Sequence, residues 1–129
     1  MTIAAARPLV TVIDDDQSVR ESLPDLLRAF GYSARAFSSA EQFLASDCVG
    51  ESRCLILDVV MPGMSGPDLA QELIARGINL PIIYITADVD EAVRAHLPEP
   101  EARRCLIKPF GDTALLDALK RELQNESGE

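Results

Sequence analysis

Five short apolar runs punctuate the chain: LVTVI, SARAF, CLIL, IIYI and CLI. They place strands at Leu9–Ile13, Ser33–Phe37, Cys54–Leu57, Ile82–Ile85 and Cys105–Ile107. Runs such as LIL and IIYI have no polar alternation, as expected of strands covered on both faces. Between them lie helical patterns at Gln17–Phe30, Ala40–Ala45, Gly66–Arg76, from about Asp90, and at Thr113–Gln124. Alternating strands and helices predict βαβ units around a parallel sheet. Asp16, Ser39 and Asp112 stand where an N-cap side chain accepts the first free backbone N–H groups. Gly31 and Gly77 stand where helices stop. Pro24 falls inside the first helical pattern and predicts a kink or a late start, while Pro98 and Pro100 predict an early end to the fourth helix. The closing NESGE reads as a frayed tail from about residue 125.

The polar residues that end these runs carry the chemistry. In VTVIDDDQSVR the first run stops at Asp14, Asp15 and Asp16; CLILD stops at Asp58, IIYIT at Thr86 and RCLIK at Lys108. In an open parallel sheet the carboxyl ends of the strands line one crevice, so these groups would converge there. Carboxylates crowded together repel one another unless a cation or proton compensates. Each residue also has a plainer role open to it. Three aspartates suit a solvated acidic turn with one helix cap. Asp58 could serve the tight loop that Pro62, Gly63 and Gly66 impose, Thr86 could begin a helix, and Lys108 could hold its head in water.

Length and charge narrow the choice. At 129 residues the chain is read as a single domain, 1–129, large enough for its own core. With 21 acidic against 12 basic residues the net charge is -9, which repels phosphates and argues against direct nucleic acid binding. A cation site is the more natural complement. No apolar stretch reaches membrane-spanning length, and MTIAAARP lacks the pattern of a secretory signal. Three cysteines, Cys48, Cys54 and Cys105, have no metal-ligand spacing, and their odd number argues against a disulfide framework. A reducing cytoplasm is the expected home.

The ordered motifs DDD, LILDVVMPGMSG, IIYITA and LIKPF together resemble the receiver domain of bacterial two-component response regulators, over nearly the whole chain. The resemblance implies a flavodoxin-like (βα)5 sandwich with strand order 2-1-3-4-5. It implies a phosphoacceptor switch rather than a conventional enzyme, one that assists its own phosphorylation and dephosphorylation. Asp58 would be the phosphoacceptor, and Mg²⁺ would be held by Asp14, Asp15, Asp58 and the backbone carbonyl of Val60. Asp16 would stay a structural cap. Thr86 and Lys108 would bind the phosphoryl oxygens, with a cis bond between Lys108 and Pro109. The donor would be a histidine kinase or histidine phosphotransfer protein, and the output a contact with another protein from a stand-alone domain, with homodimerisation open.

One position departs from the pattern. Three residues before the lysine, where the family usually has Tyr or Phe, stands Cys105, which predicts an altered readout with phosphorylation retained. Two other functions compete. A haloacid-dehalogenase-type phosphatase would use Asp14, Asp16 and Ser18 as its D-x-D-x-S motif, but it needs another acidic strand end and only 21 residues follow Lys108. A phosphorylation-independent interaction module would leave the acid pair, Asp58, Thr86 and Lys108 without a purpose.

Overall fold

The computed structural model describes residues 7–87 and 105–127. The helix expected from about Asp90, with Pro98 and Pro100, lies outside them. Leu9–Ile13 (β1), Ser33–Phe37 (β2), Cys54–Asp58 (β3), Ile82–Thr86 (β4) and Leu106–Ile107 (β5) pair in parallel as one sheet in the order β2-β1-β3-β4-β5, as the resemblance implies. Register is continuous through the centre, with Val12 opposite Ala36 and Ile56, and Leu57 opposite Tyr84.

Residues alternate between the two faces of a strand, so the sheet builds two cores. On one face Val10, Val12, Ile56 and Ile85 pack against Leu23 and Leu27 of Gln17–Ala29 (α1) and Leu115 and Leu119 of Asp112–Ser127 (α5). On the other, Ile13, Leu55 and Leu57 meet Phe43 of Ala40–Leu44 (α2), Cys48 of Cys48–Glu51 (α3), and Leu69 and Leu73 of Gly66–Ala75 (α4). Burial on both faces explains why the central runs lack polar alternation.

The caps follow local chemistry. Asp16 accepts from the Ser18 N–H and Ser39 from the Gln42 N–H, as expected. Gly31 and Gly77 take φ of 100° and 75°, a region in which side chains are strained, just past the ends of α1 and α4. Asp112 differs from expectation: it is the first helical residue of α5, not its cap. That helix runs to Ser127, beyond the expected end at Gln124. Pro24 neither delays nor interrupts α1, because it is buried on the core face of the helix, where packing offsets the lost donor. The four-residue α3 was not expected, since so short a segment has no periodicity to read.

Candidate functional site

Polar residues end the strands because the ladder carries on through them. Asp58 pairs with Ile85 and Thr86 with Ile107, so β3 and β4 each run one residue further than their apolar letters suggest. β5 is shorter than expected and begins at Leu106, leaving Cys105 just before it. Backbone hydrogen bonds hold each site position: Asp14 N–H donates to Phe37 O at 3.1 Å, Val59 N–H to Ile85 O at 2.9 Å and Lys108 N–H to Thr86 O at 2.7 Å. The Lys108–Pro109 bond is cis.

Carboxylate oxygens of Asp14, Asp15 and Asp58 lie within 4.8 Å of one another. Asp14 is fully buried, Asp58 nearly so, and Asp15 is exposed. Asp14 Oδ1 accepts from the Asp16 N–H at 2.9 Å. Its Oδ2 lies 2.8 Å from Lys108 Nζ, yet the contact lacks hydrogen-bond geometry, and among the described residues no other group bonds this buried oxygen. We regard the pair as an ion pair governed by charge rather than by a directed bond. Lys108 Nζ is also 3.9 Å from Asp58 Oδ2. Thr86, fully buried, closes β4 beside β5. Val60 follows in the loop after Asp58 with its side chain half exposed.

Crowding shows in the acid–base balance. The Asp58 carboxyl is pushed up to about 8, first by burial and then by the charge of Asp14; Lys108 opposes this, and the close approach of the Asp14 and Asp15 side chains adds to it. Burial alone would lower the Lys108 ammonium, but contact with Asp14 and the charges of Asp58, Asp14 and Asp16 outweigh it and the net shift is upward. Cys105 is pushed up to about 11 by burial and by the charge of Asp58. Among the described residues, the Lys108 ammonium is the one set beside the three clustered carboxylates, in contact with two of them. An under-bonded buried oxygen within a set of hard oxygen donors fits a small divalent cation such as Mg²⁺, which takes one or two carboxylates and completes its shell with other oxygens.

Asp14, Asp15, Asp58 and Lys108 thus come together, with Asp16 turned to capping, while Thr86 is placed at the buried end of β4. Lys108 is drawn into the acidic cluster, its side chain 19% exposed. Sequence reasoning missed two supports. Arg20 Nη1 donates to the Asp14 carbonyl at 3.0 Å, and Glu41 Oε2 accepts from the Met64 N–H at 3.1 Å. Neither leaves a local signal, since the first reaches back across a turn and the second spans 23 residues. After Lys108 the described residues form the exit from β5 and then α5.

The family model for the response regulator receiver domain matches residues 10–120. Nodulation protein W from Bradyrhizobium diazoefficiens is 41% identical over 118 residues, which cover 92% of this chain and 52% of that protein. Transcriptional regulatory protein FixJ from Azorhizobium caulinodans is 39% identical over 114 residues, covering 88% and 54%. Among solved structures, response regulator StyR has a TM-score of 0.77 at 40% identity, over 93% of this chain and 61% of that one. FixJ-N has a TM-score of 0.74 at 35% identity, over 96% of each chain. The chain spans about half the length of the curated relatives it matches. Sequence kinship over most of the chain and a shared sheet agree: this chain belongs to the response regulator receiver domain family.

Proposed function

We propose that this receiver domain is a Mg²⁺-dependent phosphoacceptor, with Asp58 taking a phosphoryl group from a phosphohistidine of a histidine kinase or phosphotransfer protein. The observation that carries this reading is the gathering of Asp14, Asp15 and Asp58 within 4.8 Å, with Lys108 Nζ 2.8 and 3.9 Å from two of them. Asp14, Asp15, Asp58 and the Val60 carbonyl would hold the cation. When bound, Mg²⁺ would supply positive charge against the phosphoryl oxygens and favour the ionised form of Asp58.

An oxygen of Asp58 attacks phosphorus in line; the new O–P bond makes an acyl phosphate as the P–N bond to the donor imidazole breaks. Lys108, already poised between Asp14 and Asp58, turns its point charge toward the phosphoryl oxygens. Thr86 Oγ1 donates to another of them. Its movement biases the surface beyond β4 between two states, which is how such a site passes on its result. The output is a contact with a further protein. Two relatives named as transcriptional regulators are longer than this chain, which covers 56% and 54% of their length.

Intact-mass spectrometry after acetyl phosphate and Mg²⁺ tests the reading. One phosphoryl adduct is expected on the wild type and none on Asp58→Asn, whose amide lacks the attacking anionic oxygen. An undiminished adduct on the variant overturns the assignment.

A further inference from the structure

Residues 59–65 lead from Asp58 to α4 and include Val60. Both roots of this loop are anchored: Val59 N–H donates to Ile85 O, Gly66 N–H donates to Val59 O at 3.0 Å, and Ser65 and Asp68 form a reciprocal capping box. Apolar support comes from Met61, buried in the core cluster, and from Met64 packed against that cluster; polar support is thinner. Among the described residues, the hydrogen bond that ties residues 60–64 to another element runs from the Met64 N–H to Glu41 Oε2 at 3.1 Å. Glu41 is an exposed residue of the first turn of α2, and the apolar core makes no use of it. Gly63 admits it: φ there is +76°, and a Cβ would stand 2.9 Å from Glu41 Oε2. A side chain at 63 would push the carboxylate off the loop.

We propose that Glu41 is a positioning residue for the metal and phosphoryl site, tethering the loop tip and thereby setting where the Val60 carbonyl is presented. This rests on the reading of Val60 as a main-chain ligand. A side-chain ligand can re-aim itself by changing rotamer, but a main-chain carbonyl points where its loop puts it. Mg²⁺ demands near-octahedral geometry at short distance, so a small drift of the loop costs affinity. A carboxylate accepting from a backbone N–H is a charge-assisted bond, well suited to holding such a tip from an exposed position.

The test compares wild type, Glu41→Ala and Glu41→Gln by Mg²⁺ titration calorimetry, Met64 amide exchange, acetyl phosphate uptake and thermal unfolding. Glu41→Ala is expected to weaken Mg²⁺ about three- to tenfold, a modest case of a supporting partner lost from a metal site. Phosphoryl uptake should slow and Met64 exchange should quicken, with Tm within about 2 °C of wild type, as for an exposed substitution. Glu41→Gln keeps an oxygen acceptor for the Met64 N–H and should recover most of the affinity. If glutamine restores slow Met64 exchange yet binds Mg²⁺ as weakly as alanine does, the charge of Glu41 and not the tether is responsible, and the proposal is overturned. It is also overturned if Glu41→Ala binds Mg²⁺ as wild type does. A wild type that neither binds Mg²⁺ nor takes up phosphate overturns the parent reading as well, so the two failures are told apart.

Discussion

Lys108 leans on Asp14 rather than Asp58: its Nζ is 2.8 Å from the buried carboxylate of Asp14 and 3.9 Å from that of Asp58. Before phosphorylation the ammonium thus occupies part of the negative field that a cation would use. Removing it should divide two properties that usually fall together. In Lys108→Ala, Mg²⁺ should bind a few-fold tighter, since a competing charge about 4 Å away is worth on the order of 1 kcal/mol or more. Phosphoryl uptake should fall about a hundredfold, because the charge that meets the phosphoryl oxygens is gone. Calorimetry and intact-mass time courses give both numbers, and a parallel fall in the two would contradict this division of labour.

Without metal, the site should make stability depend on pH. The Asp58 carboxyl rises from 3.8 to about 8 on folding. Its contribution is therefore fully present below about pH 4, where both states hold the proton, and is lost as pH rises toward about 8. In EDTA, Asp58→Asn should match the wild type near pH 4 and exceed it at pH 8.5 by about 2 kcal/mol, the scale of relieving an ill-compensated buried carboxylate. Urea denaturation at both pH values measures the difference. A constant gap between the two proteins would show that Asp58 ionises in the folded state as it does in the unfolded one.

Gly66 should tolerate no side chain. A Cβ there would lie 2.5 Å from the Asp58 carbonyl oxygen and 3.1 Å from Val59 Cα, both backbone atoms that move only if the end of β3 moves. Gly66→Ala should cost about 1–3 kcal/mol, the usual range for overpacking, and should lower phosphoryl uptake. Gly50→Ala is the control, since a Cβ there meets nothing within 4 Å and alanine favours the helix. Equal stability of the two variants in denaturant titration would remove the close approach from the argument.

Cys105 should limit how far phosphorylation is felt in β5. It is small, buried and packed in the same core cluster as Tyr84, and it has no ring to exchange an outward rotamer for an inward one. Without differential contacts a two-state population cannot shift. With beryllofluoride as phosphoryl mimic, NMR shift changes at Leu106 and Ile107 should be smaller in the wild type than in Cys105→Tyr. Changes of equal size would return Cys105 to a purely packing role.

Much of this site was legible because strand ends are both a pattern and a place. Once the apolar runs are read as parallel strands, topology brings Asp14, Asp15, Asp58, Thr86 and Lys108 to one edge without further information. What topology does not supply is side-chain preference across the crevice. The lean of Lys108 toward Asp14 depends on burial and distances that no local pattern encodes. The Glu41 to Met64 bond joins segments whose separation in sequence hides their contact. Pro24 misled for a related reason: propensity predicts a fault in α1, and packing against the sheet overrules it. Asp112 has the chemistry of a cap and the position of a first-turn acid, a one-residue difference of the kind that helix ends commonly show.

The backbone bonds at the rim have a further consequence. Asp14, Val59 and Lys108 are each pinned through their own N–H to the carbonyl of a neighbouring strand or its last residue. Those bonds belong to the main chain, so a side-chain replacement at 14, 59 or 108 by a residue other than proline keeps the donor that makes each of them. The chain behaves here like a fixed rack with interchangeable tools: charge can be removed, added or moved among these positions while their Cα atoms keep their places. Variants at the rim should therefore report on chemistry and not on collapse, and a receiver whose aspartates had been exchanged for neutral residues could keep this architecture and act by shape alone.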